Sequence, residues 1–175
     1  YIGIRLLVKN SLRMSSPSEN PTPDGLAGWW TYFKFIFQDF QTVLAPTFSE
    51  QASSAEIARM RQLLESDLDE GAIGIGLALD YISEAVNDAE LKMIFSVAGE
   101  RQAPLFVHVR RGVNGDPSGL REVLSLAEQT NAPVHICHIT HNAMGNVELF
   151  LREVREAQGK GCLLYTSDAA DEEDS

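Results

Sequence analysis

The fold is decided by the stretch PLFVHVRRGVNGDPSGLREVLSLAEQTNAPVHICHI (residues 104–139), in which a helical pattern lies between two short apolar runs. The runs PLFVHV (104–109) and APVHICHI (132–139) are typical of strands that are buried in a parallel sheet. Pro117 predicts the first position of the helix between them, which extends to about Thr130. Two parallel strands joined by a helix form a βαβ unit.

The same alternation continues on both sides of this stretch. AIGIGLAL (72–79) is a third apolar run, and an S-x-x-E capping box at Ser53 predicts a helix before it that ends at Gly71. Asn87 and Asn146 predict the starts of two further helices, over about 88–102 and up to about 157. The order of elements predicts an α/β fold with a parallel sheet covered by helices.

A doubly wound sheet and a barrel both fit this order. The Gly74–Gly76 pair lies inside a strand pattern without a third glycine before a helix, which weakens a nucleotide-binding interpretation. The chain has 175 residues, fewer than the roughly 250 of a whole (β/α)8 barrel. We therefore expect about three consecutive β/α units.

The two ends of the chain differ from this regular part, which covers residues 53–161. Residues 1–52 are irregular and include GWWTYFKFIFQDF (28–40), which is either a partner surface or, as we favour, a buried packing segment. In CLLYTSDAADEEDS (162–175) a strand could start at CLLYT, but DAADEEDS predicts no folded element, and the string resembles a translated sequencing adapter. We expect native sequence to end near Gly161, followed by a non-native or disordered acidic tail.

The charge and composition limit the partners of the protein. A net charge of −11 argues against binding to nucleic acid or to an anionic membrane. No apolar run approaches the roughly 18 residues of a membrane span, and Cys137 and Cys162 make a weak case for a disulfide. We interpret YIGIRLLVKN (1–10) as the interior of a longer protein, and we expect a cytoplasmic location and a small-molecule ligand.

The four histidines cluster around two predicted strands. His108 and His138 lie near the carboxyl ends of neighbouring strands, where α/β sheets place active sites. Strict alternation places His135 on the opposite face from His138, so we expect His135 to face the helices and bond a backbone group. Cys137, on the same face as His135, is expected to be a small core residue. His141 follows the strand, where it could contact substrate or simply be solvated, and we favour solvation.

Two histidines on neighbouring strands are suited to bind Zn²⁺ or a similar ion. On spacing alone, hydrogen-bonded structural histidines are the more frequent alternative.

Three segments resemble the N-acyl-D-amino-acid deacylases, or D-aminoacylases, of the metal-dependent amidohydrolase superfamily. They are EIARMRQLLESDLDEGAIGIGLALDY, PLFVHVRRG and APVHICHITHNAMGN. They are similar to the family's E-A-G-A-x-G-x-S-T-G-L-x-Y segment, its strand ending in H-x-R and its strand ending in V-H-I-S-H. The resemblance covers about residues 55–161 and implies a partial (β/α)8 TIM-like barrel, with these as roughly the fourth to sixth strands.

The resemblance also implies roles for individual residues. His108 and His138 match two metal-ligand histidines, with Zn²⁺ or another divalent metal as the cofactor. Tyr81 matches a tyrosine on the substrate side, with plain packing as the alternative. Arg110 would bind a substrate carboxylate, and a salt bridge to a neighbouring loop is the equal alternative.

This sequence departs from the family pattern at several points. The H-x-H pair of the first strand and the cysteine ligand of the second strand have no counterpart, and S-T-G-L reads IGLAL. The aspartate that acts as the general base would lie beyond this chain. The implied activity is hydrolysis of the amide C–N bond of N-acyl-D-amino acids or related amides, with this chain alone expected to be inactive.

Two alternatives stay open beside this function. A cyclic-amide hydrolase of the dihydroorotase or hydantoinase kind commonly uses a carboxylated lysine on the fourth strand, and AIGIGLAL contains no lysine. A non-catalytic α/β domain could instead bind a partner through the aromatic segment at 29–40. The sequence does not indicate an oligomeric state.

Overall fold

The computed structural model describes residues 48–82 and 85–167, except for the side chains of residues 81 and 82. The aromatic segment at 28–40 lies outside the described residues, as do residues 168–175. The described part contains four parallel strands in the order β1-β2-β3-β4. They are β1 (Ile75–Ala78), β2 (Leu105–His108), β3 (Val134–Ile136) and β4 (Leu164–Thr166).

Helices connect the strands, so that the predicted alternation is confirmed. They are α1 (Ser54–Asp69), α2 (Leu79–Ile82), α3 (Asp88–Arg101), α4 (Ser118–Thr130), α5 (Ile139–Ala143) and α6 (Val147–Gly159), with a 3-10 turn at Val113–Gly115. The strands are shorter than the apolar runs that predicted them, because the ends of those runs form the turns that enter and leave the sheet.

The three predicted helix starts are confirmed, since α1, α3 and α6 begin directly after Ser53, Asn87 and Asn146, but the third lacks a side-chain capping hydrogen bond. Ser53 and Glu56 form a reciprocal capping box at α1, with Ser53 N donating to Glu56 Oε2 over 2.8 Å. Asn87 caps α3 by accepting from Glu90 N over 2.9 Å. Asn146 makes no cap; its Nδ2 donates to the carbonyl of Gly115 over 3.1 Å, so it ties the loop after β2 to the start of α6.

One face of the sheet is covered by helices. In chain order, α1 packs on α3, α3 on α4, and α4 on α6. The strand residues beneath them are fully buried: Ile75, Leu77, Leu105, Val107, Val134, Ile136 and Leu164. This apolar layer is the main source of stability, since burying each such side chain contributes about 1.5–3 kcal/mol.

The other face of the sheet is open in the described part of the chain. The strand register places Gly76, Phe106, His135 and Tyr165 in one row across it. Phe106 is 40% exposed and Tyr165 is 64% exposed. A doubly wound sheet has helices on both faces, whereas here the long helices cover a single face of sequentially ordered strands. The structure therefore has the form of a barrel wall: three β/α units and a fourth strand.

The sheet continues beyond Gly161, where the sequence predicted the regular part to end. β4 pairs with β3, and Ser167 N donates to the carbonyl of Ile136 over 3.1 Å. Leu164 is buried and completes the apolar row across the sheet. The described part of the predicted tail is therefore folded onto the sheet, and disorder stays a prediction for residues 168–175.

Within residues 48–82 and 85–167, no helix combines the length and apolar character needed to cross a membrane.

Candidate metal site

Two histidines meet at the carboxyl edge of the sheet. His108 is the last residue of β2, and His138 stands two residues beyond the end of β3. Their ring centroids are 5.0 Å apart, with an angle of 40° between the ring planes. Both residues are half-buried. The structure therefore brings together the two histidines that the sequence singled out as metal ligands.

A sharp turn after β3 places His138 beside His108. The ladder continues as far as Cys137, whose N–H donates to the carbonyl of Val107 over 3.0 Å. His138 then has φ 51° and ψ 47°, a left-handed conformation that is unusual for a residue other than glycine. The chain turns there into α5, and alternation along the strand ends before His138.

His135 lies on the open face, so the prediction that it faces the helices is wrong. Its partner in the register is Phe106, and the two ring centroids are 5.5 Å apart. Its Nε2 is 2.9 Å from the hydroxyl of Ser167, which replaces the backbone partner that was expected. Alternation separated the two faces of β3 correctly but did not show which face the helices cover. Cys137 is buried, as expected of a small core residue.

The spacing of the histidine pair fits a shared divalent ion. With Zn–N bonds of about 2.0–2.1 Å and tetrahedral geometry, two imidazoles on one zinc have ring centres about 5 Å apart. Among the residues that the structure describes, no group of three or more His, Cys, Asp or Glu side chains is placed to hold a metal. The pair alone would therefore be an incomplete metal site, and further ligands would have to come from outside these residues.

Arg110 is engaged on the helix side of the sheet. Its Nε donates to Glu122 Oε2 over 2.9 Å, and its Nη2 donates to the carbonyl of Val86 over 2.6 Å. Glu122 belongs to α4, and Val86 lies just before α3. These contacts favour the salt-bridge interpretation of Arg110 over a contact with substrate, and they tie the end of β2 to the helix layer.

Tyr81 lies in α2, directly after β1 and so at the same edge of the sheet as the histidine pair. Its side chain is outside the described residues, and its contact with substrate stays a prediction.

A second group of side chains at this edge was missed by the sequence reasoning. Arg111 Nη2 donates to Asp80 Oδ2 over 2.9 Å and lies 2.5 Å from His141 Nε2. Because a guanidinium only donates, this contact is a hydrogen bond when His141 Nε2 accepts. We call Asp80, Arg111 and His141 the loop cluster. Its members follow three different strands. The one feature of the sequence that they share is a position shortly after the end of a predicted strand.

Solved structures with a similar fold are metal-dependent amidohydrolases. N-acyl-D-glutamate deacylase from Bordetella bronchiseptica, solved with zinc and a phosphonate inhibitor, has a TM-score of 0.62 at 25% identity, and the match covers 69% of this chain and 26% of that one. A D-aminoacylase described as having a binuclear metal centre has a TM-score of 0.59 at 19% identity, with the same coverage. A further D-aminoacylase structure, described as defining a novel subset of amidohydrolases, has the same TM-score, identity and coverage.

This chain shares the fold of the D-aminoacylase-type amidohydrolases. The resemblance seen in the sequence motifs is thereby confirmed at the level of structure. No family model matches the sequence, and a search of curated proteins finds no relative. The chain spans about a quarter of the length of these solved structures, 26% in each case.

Proposed function

We propose that the protein is a metal-dependent amidohydrolase that cleaves the amide C–N bond of N-acyl-D-amino acids or related amides. The observation that carries this proposal is the pair formed by His108 and His138, whose ring centroids are 5.0 Å apart at the carboxyl edge of the sheet. The D-aminoacylase-type fold supports it, and so does the neighbour solved with zinc and a mimic of the tetrahedral intermediate.

His108 and His138 would hold the metal as neutral imidazoles. A bound divalent ion such as Zn²⁺ would polarise the substrate carbonyl and lower the pKa of a bound water molecule towards about 7. β2 fixes His108, and the turn after β3 fixes His138, so the two imidazoles are held in place before any ligand arrives. The remaining ligands and the general base are proposed to lie outside this chain, so we expect no turnover from these 175 residues alone.

The substrate side of the site is proposed to lie at the same edge of the sheet. Tyr81 follows β1 there and is the residue that we propose for the wall of the substrate pocket. A small anionic or neutral amide is a better partner for a protein of net charge −11 than a nucleic acid. A cytoplasmic location stays an expectation.

The test is zinc binding by the whole chain, compared with a His108→Ala, His138→Asn double variant. Asparagine is chosen at 138 because it tolerates the left-handed backbone better than alanine does. The matched control is a His135→Ala, His141→Ala double variant, which removes the same number of imidazoles from the same region. Circular dichroism establishes that all three proteins are folded.

We expect zinc to bind to the wild type and the control and to be lost from the His108/His138 variant. Equal zinc binding in all three proteins would contradict the proposed site.

A further inference from the structure

The loop cluster joins the three loops that follow β1, β2 and β3. Asp80 is in α2, Arg111 stands three residues beyond the end of β2, and His141 is in α5. The contacts are 2.9 Å from Arg111 to Asp80 and 2.5 Å from Arg111 to His141. The guanidinium is therefore contacted from both of the other loops, at the same edge of the sheet as the histidine pair.

Some N–H donors of Arg111 have no protein partner in the described part of the chain and are available to a ligand. Both of its contacts use the single nitrogen Nη2, and within residues 48–82 and 85–167 its Nε and Nη1 donate no hydrogen bond. Its side chain is 44% exposed, whereas that of Asp80 is 13% exposed. Asp80 thus orients the guanidinium from the protein side, and N–H donors are left for a group that arrives from solvent.

Arg110 and Arg111 are adjacent but have different surroundings. Arg110 is committed to Glu122 and Val86, at 2.9 Å and 2.6 Å, and its side chain is 22% exposed. The sequence motif therefore points to Arg110 as the ligand-binding arginine, whereas the contacts point to its neighbour. Guanidinium groups are well suited to bind carboxylates.

We propose that Arg111, positioned by Asp80 and His141, binds the carboxylate of the substrate, and that Arg110 does not. This inference rests on the proposed function, in which the substrate is an N-acyl amino acid. In such a molecule two atoms, the amide nitrogen and Cα, separate the carboxylate carbon from the amide carbonyl carbon, so both groups would have to be recognised at one edge of the sheet. Ala78, two residues before Asp80, pairs with His108 in the strand register, so the loop cluster and the histidine pair lie at the same edge of the sheet.

The experiment measures carboxylate binding by the metal-free chain. The whole chain, labelled with ¹⁵N and kept in a chelator, is titrated with N-acetyl-D-alanine and with its neutral amide, and the Arg111 side-chain and His141 ring signals are followed by NMR. We expect saturable shifts with the carboxylate, and binding of the neutral amide to be weaker by about tenfold or more, as for the loss of a hydrogen bond to a charged group.

Three arginine variants separate the alternatives. Arg111→Gln should weaken binding of the carboxylate by about tenfold or more. Arg110→Gln, or Arg110→Lys if the first variant does not fold, should leave the affinity unchanged. Arg101→Gln is the matched control, because Arg101 is also an exposed arginine with one acidic partner, Asp69, at 2.8 Å. Non-saturable shifts, equal affinity for the two ligands, or a loss confined to the Arg110 variant would overturn the inference.

The failure of this inference can be told apart from the failure of the proposed function. The His108→Ala, His138→Asn variant should keep carboxylate binding in the chelator, and Arg111→Gln should keep zinc. Loss of zinc binding alone would therefore contradict the metal site, and loss of carboxylate selectivity alone would contradict the role of Arg111.

Discussion

At the scale of single residues, the backbone of His138 is the most informative feature of the site. Its φ of 51° and ψ of 47° lie in the left-handed region, which costs on the order of 1–3 kcal/mol where the surroundings must hold it. His138 O accepts from His141 N over 3.0 Å and from Asn142 N over 3.3 Å. The first turn of α5 thus holds the left-handed residue in place, and its imidazole lies 5.0 Å from that of His108, measured between ring centroids.

Asp116 is a second residue whose local geometry has a measurable consequence. Its Oδ1 accepts from Ser118 N over 2.9 Å at the start of α4, because Pro117 in the N-cap position has no side chain for capping. The hydrogen bonds from Ser118 hold the pKa of Asp116 below its usual value of 3.8. A lowered pKa stabilises the folded state above the unfolded pKa, and this stabilisation is lost as the pH falls through the folded pKa.

We therefore predict that Asp116→Ala lowers the urea midpoint at pH 7. The difference from wild type should shrink once the pH falls below about 3.8, the usual pKa of the free carboxyl group. Asp116→Asn is the control, since it keeps an acceptor for Ser118 but removes the titrating group. A difference between wild type and Asp116→Ala that stays constant at all pH values would argue against the ionised cap.

At the scale of elements, α3 and α4 approach each other closely at Gly99 of α3. A Cβ placed there would lie 2.0 Å from the carbonyl oxygen of Thr130, the last residue of α4. A side chain at position 99 would therefore collide with the backbone of α4, which cannot move aside as a flexible side chain could. Gly159, at the end of α6, has nothing within 4 Å of the same hypothetical atom.

We predict that Gly99→Ala destabilises the fold by about 1–3 kcal/mol, because the two helices must separate. Gly159→Ala is the matched control, as it also replaces a helical glycine. It should be neutral or stabilising by up to about 1 kcal/mol, the usual gain in helix propensity. Urea unfolding of the two variants measures both effects. Equal stability of the two variants would show that α3 and α4 approach less closely at this point.

The elements that the sequence predicted well are those with local signals. The capping box at Ser53 and the helix stop at Gly71, where φ is 107°, depend only on neighbouring residues. The turn after β3 has no such signal. It depends on Ser167, which donates to the carbonyl of Ile136 and accepts from the N–H of Ile139 at 3.0 Å. A pattern within β3 cannot show a contact with a residue about 30 positions away.

The loop cluster was missed for a similar reason. Asp80, Arg111 and His141 come from loops after three strands, and each appears ordinary in its own segment. Only the parallel register of β1 and β2, with Ala78 paired to His108, brings the first two together. The motif H-x-R drew attention to Arg110, whereas burial and partners distinguish it from Arg111.

At the scale of the whole molecule, the two faces of the sheet differ sharply. The helix-covered face is fully buried, whereas the open face presents Phe106 and Tyr165 at 40% and 64% exposure. In a closed barrel the equivalent face is filled by side chains from all strands. The match covers 26% of the length of the solved amidohydrolase. Most of the side chains that fill such an interior therefore lie outside the matched part.

We predict that the purified chain associates with itself through this open face. Burial of apolar surface is worth about 25 cal/mol per Å², and unpaired edge strands add a route to association. A Phe106→Ser, Tyr165→Ser double variant should therefore remain monomeric at protein concentrations where the wild type associates. Sedimentation velocity over a wide concentration range measures this, and circular dichroism establishes that both proteins are folded.

The matched control for this prediction is a Val113→Ser, Met144→Ser double variant. These two side chains are 83% and 58% exposed, so each is more exposed than Phe106 at 40%, but they lie outside the strands. If exposure of any apolar side chain drives association, both double variants should reduce it. If the open face drives it, the control should associate like the wild type, because the row through Phe106 and His135 is intact. A wild type that is monomeric at every concentration would contradict the prediction, because the open face would then not drive self-association.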